Sequence, residues 1–310
     1  MFIVAGEALM DVFTGAATPS GIALDARIGG SPLNVAFGLA RMGQHVAFLG
    51  GISRGALGER LVDALRAEGI SLEAVHRSDA PTTLSLVDVG PGGAAAYAFY
   101  GAGAADRTLP LEAIDRVPAG ARALHVGSYA MVVEPTAATQ AALVERVHGR
   151  LLVSYDPNLR LNVEPDLAAW RARLEWMLPR TDVLKLSQED LHLLYPGVDA
   201  THFAHECLAK GAGLVALTRG GEGAMAWHAS GSVEVPHVHV DVVDTVGAGD
   251  TFQAALLTRL EELNALSPAG VRGLPGKLLL DAMRFAAEAA AITCSRRGAD
   301  LPRRSELGIR

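Results

Sequence analysis

The stretch Asp244-Thr245-Val246-Gly247-Ala248-Gly249-Asp250-Thr251-Phe252 gathers residue types able to do chemistry on an anion. Gly247, Ala248 and Gly249 carry almost no side chain, so several backbone N–H groups can converge on one point. The unpaired N–H groups of a first helical turn act like roughly half a positive charge, which draws a phosphate. Asp250 sits beside that point. A carboxylate next to an anion hole is locally repulsive; it can be there to take a proton, to bind a metal, or merely to complement the helix dipole. The motif alone leaves these readings open.

Elements on either side must hold this turn. Ahead of it, residues 233–243 alternate apolar side chains and predict strands, and behind it Phe252, Leu256, Leu260 and Leu263 recur at helical spacing. In open α/β sheets, ligands collect outside the carboxyl ends of strands. Residues 2–6 read as a buried strand with Glu7 and Asp11 at its end, which places Asp11 to meet a ligand. Ser31 and Pro32 read as the N-cap and first residue of a helix stopped by Gly43, with Val35, Leu39 and Met42 on its buried face. Asn34 is then free in the first turn, and Gly29 and Gly30 let backbone approach closely.

Residues 46–51 predict another buried strand and 57–68 an amphipathic helix ended by Gly69. The glycines between them do not follow Gly-x-Gly-x-x-Gly, which speaks against a dinucleotide site. From 82 to 102 the pattern is strand-like, with Tyr97 and Phe99 on one face, and suggests a small β lid. Strand and helix patterns then alternate, implying a mainly parallel sheet with helices on both faces. Asp156-Pro157-Asn158-Leu159-Arg160 leaves the end of one such strand, and Ser187 with Asp190 can form a capping box at another. Residues 214–218 run into Arg219-Gly220-Gly221-Glu222-Gly223; no Walker-type loop occurs there, so a nucleotide would lie along the turn, held by backbone and Thr218. His237 and His239 alternate on one expected strand face without a third metal ligand nearby. Residues 264–276 read as a surface loop and 277–294 as a long alanine-rich helix.

With 310 residues, 50% hydrophobic and 20% charged, the chain can bury a sizeable α/β core. A net charge of -7 argues against a nucleic-acid surface. Cys207 and Cys294 stand far apart, which suggests neither a disulfide framework nor a zinc site. The N-terminus lacks a basic leader and no apolar run reaches membrane-spanning length, so a cytoplasmic protein without a membrane partner is expected.

Asp244 to Phe252 resembles the C-terminal signature of the ribokinase and phosphofructokinase-B family of carbohydrate kinases. Gly29-Gly30-Ser31-Pro32-Leu33-Asn34-Val35-Ala36, followed by Leu39-Ala40-Arg41-Met42-Gly43, resembles its N-terminal signature, and the resemblance covers essentially the whole chain. It implies a ribokinase-like three-layer α/β/α core, a single domain over residues 1–310, and lid strands from about 12–28 and 82–102. It further implies an ATP-dependent sugar kinase with Asp250 as base and the Gly247, Ala248 and Gly249 amides as anion hole. Asp11, Gly30, Asn34, Tyr97, Phe99, Arg160 and Asp250 itself would face the sugar, and Gly247 and Gly249 would also face ATP. Lys185, Ser187, Thr218, Gly220, Gly221, Gly223 and Ala287 would face ATP, with Mg2+.

Ser187 and Asp190 stand where the family has Asn and Glu in a motif tied to magnesium and phosphate, and Gly55 where it commonly has an acid. Asp244, Val246 and Gly298 would hold a monovalent cation, K+. The string from Asp156 to Arg160 resembles the fructokinase and 2-keto-3-deoxygluconate kinase branches. The second branch usually has an arginine just after the lid aromatics; here Gly101 follows Tyr100 and Arg107 comes several residues later, leaving Arg160 as the remaining cation. Fructose is therefore the first expectation, 2-keto-3-deoxygluconate the second and a nucleoside the third. A non-catalytic sensor would have no need of Asp250, and an oxidoreductase would need the missing glycine fingerprint. A homodimer through the lid, using Leu84 and Leu86, is also implied.

Overall fold

The computed structural model describes residues 1–89 and 95–308, with side chains described outside 88–97. Its strands, in chain order, are β1 (Phe2–Ala5), β2 (Leu9–Thr18), β3 (Gly21–Gly29), β4 (Val46–Leu49), β5 (Gly51–Ser53), β6 (His76–Ser78), β7 (Leu84–Val89), β8 (Ala95–Tyr100), β9 (Ala123–Gly127), β10 (Leu152–Asp156), β11 (Val183–Ser187), β12 (Leu214–Thr218), β13 (Ala224–His228) and β14 (Gly231–Val235). Its α-helices are α1 (Ser31–Arg41), α2 (Ala56–Ala67), α3 (Thr136–Val147), α4 (Leu167–Met177), α5 (Gln188–Leu194), α6 (Ala200–Ala209), α7 (Ala248–Glu262), α8 (Pro268–Arg272) and α9 (Gly276–Cys294).

Short strands such as Phe-Ile-Val-Ala in β1 and Val-Ala-Phe-Leu in β4 are apolar at every position, the pattern of a sheet covered on both faces. They lie in an eight-stranded sheet of order β14-β13-β12-β11-β10-β9-β1-β4. From β12 to β4 every pairing is parallel, while β13 and β14 are antiparallel. One face is covered by α1, α2, α7 and α9 through residues such as Leu39, Leu61, Leu256 and Leu279. The other is covered by α3, α4 and α6 through Leu143, Trp170 and Phe203. This is the expected α/β/α layering.

The expected lid strands form a separate sheet of order β3-β2-β7-β8, beginning at Leu9. Arg27, Asp11, Ser85 and Phe99 lie directly opposite one another across it and so share a face. The opposite face carries Met10, Val12, Leu84 and Leu86, which belong to or pack against the core cluster. Leu84 and Leu86 are thus partly spent on internal packing.

Three local expectations give way. The strand expected to run to residue 243 ends at Val235, because Pro236 lacks a ladder N–H and the pairing with β13 stops at Ala224. His237 and His239 consequently lie on no strand; their rings meet edge to face at 6.0 Å. Ser31 is not the N-cap of α1: Gly30 takes that place at φ 111°, which frees the Ser31 hydroxyl. The loop expected at 264–276 contains the short α8, capped by Ser267.

Candidate active site

Helix α7 starts at Ala248, with Gly247 left-handed at its N-cap (φ 78°). A side chain there would be strained, and a methyl group would come 2.7 Å from Ala299 Cβ, so glycine meets both demands. Ala248 donates its N–H to the Thr245 carbonyl at 3.2 Å. Of the three amides expected to form the anion hole, Gly247 and Gly249 are therefore the ones without a backbone acceptor among the described residues. Gly249 has a further reason to be glycine: a methyl group would come 2.9 Å from Lys185 Nζ.

The N-termini of α1 and α7 converge on Asp250. Ser31 Oγ donates to its Oδ1 at 2.6 Å and Asn34 Nδ2 to its Oδ2 at 2.8 Å, all three residues being buried. The two sequence signatures thus meet at one carboxylate, which retains further lone pairs to accept a proton. Asn34, expected to point at substrate, spends its amide on orienting Asp250.

Lys185 is 4% exposed, so it backs the anion hole from beneath and does not line an open cleft. Its Nζ bonds Asp156 Oδ2 at 2.7 Å. Burial works against its charge, but Asp156 more than offsets this and holds the ammonium above its ordinary pKa. Burial pushes Asp156 up to about 6, with Lys185 opposing. Ser187 caps α5 by accepting from the Asp190 N–H at 3.0 Å, as a capping reading requires. The Asp190 carboxylate turns instead to the Leu159 N–H at 3.2 Å, pinning the turn that carries Arg160.

Among the described residues, no three His, Cys, Asp or Glu side chains gather to hold a metal. That arrangement fits magnesium carried by nucleotide phosphates and water, and not a protein cage. Asp244 bridges two loops, Oδ1 accepting from Val246 N at 3.0 Å and Oδ2 from Gly298 N at 2.8 Å. The residues expected at a monovalent cation are thereby drawn together, through amide N–H groups on the carboxylate and not through oxygens gathered on an ion.

On the nucleotide side, Thr218 pairs with Ser187 at the carboxyl edge of the sheet. The following turn uses Gly220 (φ 53°) and Gly223 (φ 90°), and space beside Gly220 and Gly221 is open. Ala287 lies on α9, partly buried against the core.

On the sugar side, Asp11 lies so close to Gly29 that no side chain could stand there. Burial holds Asp11 above the usual carboxylate range, the Asp250 charge adding and Arg160 opposing. Arg160 Nη1 donates to Asn158 Oδ1 at 2.7 Å and the Leu159 carbonyl at 2.9 Å, so its own left-handed turn fixes it. Phe99 meets Tyr129 edge to face at 6.2 Å. The Tyr97 side chain lies outside the described residues.

Sequence reasoning passed over Glu7 here. It is 1% exposed, burial pushes it up to about 7 with Arg160 opposing, and its Oε2 has no hydrogen-bond partner. An acid directly after a fully apolar strand was the available signal.

A carboxylate fixed at a helix N-terminus beside free amides and a buried ammonium, on a three-layer α/β/α frame, describes a phosphotransferase site. Residues 11–306 match the model of the pfkB family carbohydrate kinases. A fructokinase of Rhizobium leguminosarum bv. trifolii is 34% identical over 312 residues, covering 100% of this chain and 94% of that one. A fructokinase of Xylella fastidiosa, solved with bound ATP, superposes with a TM-score of 0.86 at 26% identity, covering 98% of this chain and 96% of its own. A Vibrio cholerae fructokinase solved with fructose, ADP and calcium ion gives 0.80 at 25% identity, covering 96% and 94%. The chain belongs to the pfkB family of carbohydrate kinases, and it is an ATP-dependent sugar kinase. No helix among the described residues is long and apolar enough to cross a membrane.

Proposed function

We propose that this kinase is a fructokinase, transferring the γ-phosphoryl group of ATP to a primary hydroxyl of fructose. The observation that carries the mechanism is the Asp250 carboxylate, clamped by Ser31 and Asn34 beside the Gly247 and Gly249 amides. Asp250 takes the hydroxyl proton as the sugar oxygen forms its bond to the γ-phosphorus; the bond to the bridging oxygen breaks and ADP leaves with the electron pair. General-base catalysis of this kind is worth about 10² to 10⁴ in rate. The two amides donate to the transferred group, and Lys185 adds fixed positive charge behind Gly249. Magnesium bound with ATP would supply charge neutralisation, and Ser187 and Asp190 stand at the family's metal motif. Asp244, Val246 and Gly298 would hold a monovalent cation if one binds, and Asp244 itself ties the turn to the Gly298 loop.

Fructose is supported by relatives named fructokinases that match along the whole chain. Asp11 would accept from sugar hydroxyls, Gly30, Asn34 and the lid aromatics Tyr97 and Phe99 would enclose the ring, and Arg160 would tune the acids. Thr218, Gly220, Gly221, Gly223 and Ala287 would hold the nucleotide. One observation favours 2-keto-3-deoxygluconate as a second reading: the guanidinium of Arg107 stands over Gly101 and supplies a second cation. The chain acts as one kinase domain in the cytoplasm, with which its two free cysteines agree. Exposed Leu24 and Tyr100, which share the lid face of Leu84 and Leu86 beyond the part packed on the core, support a homodimer there, which light scattering at micromolar concentration would test.

ADP release from magnesium ATP, measured separately with fructose and with 2-keto-3-deoxygluconate, decides the substrate. Turnover on fructose is expected. Turnover on the acid alone would replace fructose, and silence on both would remove the hexose-kinase assignment.

A further inference from the structure

We infer that Arg107 is a specificity-determining residue of the sugar site, donating from its guanidinium to acceptor oxygens on the lid side of the bound sugar. This rests on the sugar-kinase reading above and adds a residue to it.

Phe99 shares a face of the lid sheet with Ser85 and Asp11, and Gly101, two residues further along, falls on that face by strand period. A methyl group at Gly101 would come 2.6 Å from Thr83 Oγ1, 2.7 Å from Arg107 Nη2 and 2.8 Å from its Cζ. The guanidinium therefore fills the volume a side chain at 101 would take. Its Cζ lies 5.1 Å from the centroid of the Tyr129 ring, the ring that Phe99 also meets. The sequence position that looked vacant is filled in space from six residues away.

What the guanidinium lacks is a partner. Nε and Nη2 are buried without a hydrogen bond. The neighbouring Asp106 does not supply one, because Thr83 Oγ1 donates to its Oδ1 and Tyr129 OH to its Oδ2, each at 2.6 Å. Asp106 thus balances the charge while leaving the donors idle. Buried polar groups are almost always paired, and a guanidinium with idle forked donors is costly unless a ligand completes it. Glu7 Oε2 is likewise buried without a well-formed hydrogen bond, the Ser128 hydroxyl being the group near enough to steady its charge. A polyhydroxylated molecule offers oxygens to all of these.

The test compares wild type with Arg107→Met, Arg107→Lys and Gly101→Ala, using whichever of fructose and 2-keto-3-deoxygluconate the wild type phosphorylates. Gly101→Ala crowds the guanidinium without deleting its charge, and a Thr83→Ser control shows what the accompanying pressure on Thr83 contributes. Losing a charged hydrogen bond predicts a rise of about ten- to a hundredfold in the KM for sugar, with the KM for ATP within about twofold. Arg107→Lys should recover part of the loss, and Gly101→Ala should move the sugar KM in the same direction as Arg107→Met. If Arg107→Met fails to fold, Gly101→Ala and the lysine variant carry the test. A sugar KM indifferent to these changes, or an equal rise in both KM values, overturns the assignment while the kinase reading stands. A wild type silent on both sugars overturns both.

Discussion

Around Asp250, the groups given a chemical role find partners inside the chain: Ser31 and Asn34 hold the carboxylate and Asp156 holds Lys185, while Asp156 Oδ1, His125 Nε2 and Gln253 Oε1 are left over. Around Glu7, beneath the lid, the pairing is less complete: Asp106 is held by Thr83 and Tyr129, but Glu7 Oε2 and two nitrogens of Arg107 are buried without a well-formed hydrogen bond. A group that must act on a developing charge gains from being fixed before the reaction starts, since no reorganisation is then needed. On the proposed reading, groups that bind a sugar must instead exchange partners each turnover, and idle atoms are what such an exchange requires. The proposed roles, chemistry at Asp250 and recognition beneath the lid, follow that contrast.

Four substitutions press on that contrast, beginning with the most damaging. Lys185→Met leaves Asp156 buried without its cation and should cost about 3 to 5 kcal/mol of stability, read from denaturant midpoints. An unchanged midpoint would show that the pair is not the support it is taken for. Gly249→Val drives a side chain against the Lys185 ammonium and disturbs the anion hole. Its kcat should fall about 10² to 10³ with the sugar KM little changed.

Glu7→Gln addresses the other end through pH. Burial raises Glu7 from 4.5 to about 7 in the folded chain. Below both values the carboxyl is protonated in either state and costs nothing. Between them the unfolded chain loses the proton and the folded chain keeps it, so stability falls as pH rises, by about 3 kcal/mol at the upper end. The glutamine variant should flatten that decline, gaining on wild type near neutral pH and above but not near pH 4, as ~pH-dependent melting would show. The smallest effect belongs to Ser31→Ala, which removes one bond to Asp250 and should cost about 1 kcal/mol in kcat/KM for fructose.

The same contrast explains what could be read in the sequence. The anion hole was legible because its parts are contiguous from Asp244 to Asp250, and the parallel sheet because strands such as β1 and β4 are apolar throughout. Ser31 lies 219 residues from Asp250, and its serine looked like a helix cap until Gly30 was found in that position. The strand expected to residue 243 failed because alternation cannot reveal that no neighbouring strand waits beyond Val235. Arg107 was misjudged for a related reason: a gap at Gly101 in the chain is not a gap in space. Motifs report residues held together by the chain, whereas the recognition end is assembled from β1, the lid and the turns after β9 and β10, which only the fold brings together.

The most direct measurement pairs fructose binding with turnover in Asp250→Asn. Calorimetry should give a fructose affinity within about threefold of wild type, while ADP release falls by about a hundredfold or more, because the base has gone and the recognition end is untouched. Turnover within about tenfold of wild type would contradict the assignment of Asp250 as the base.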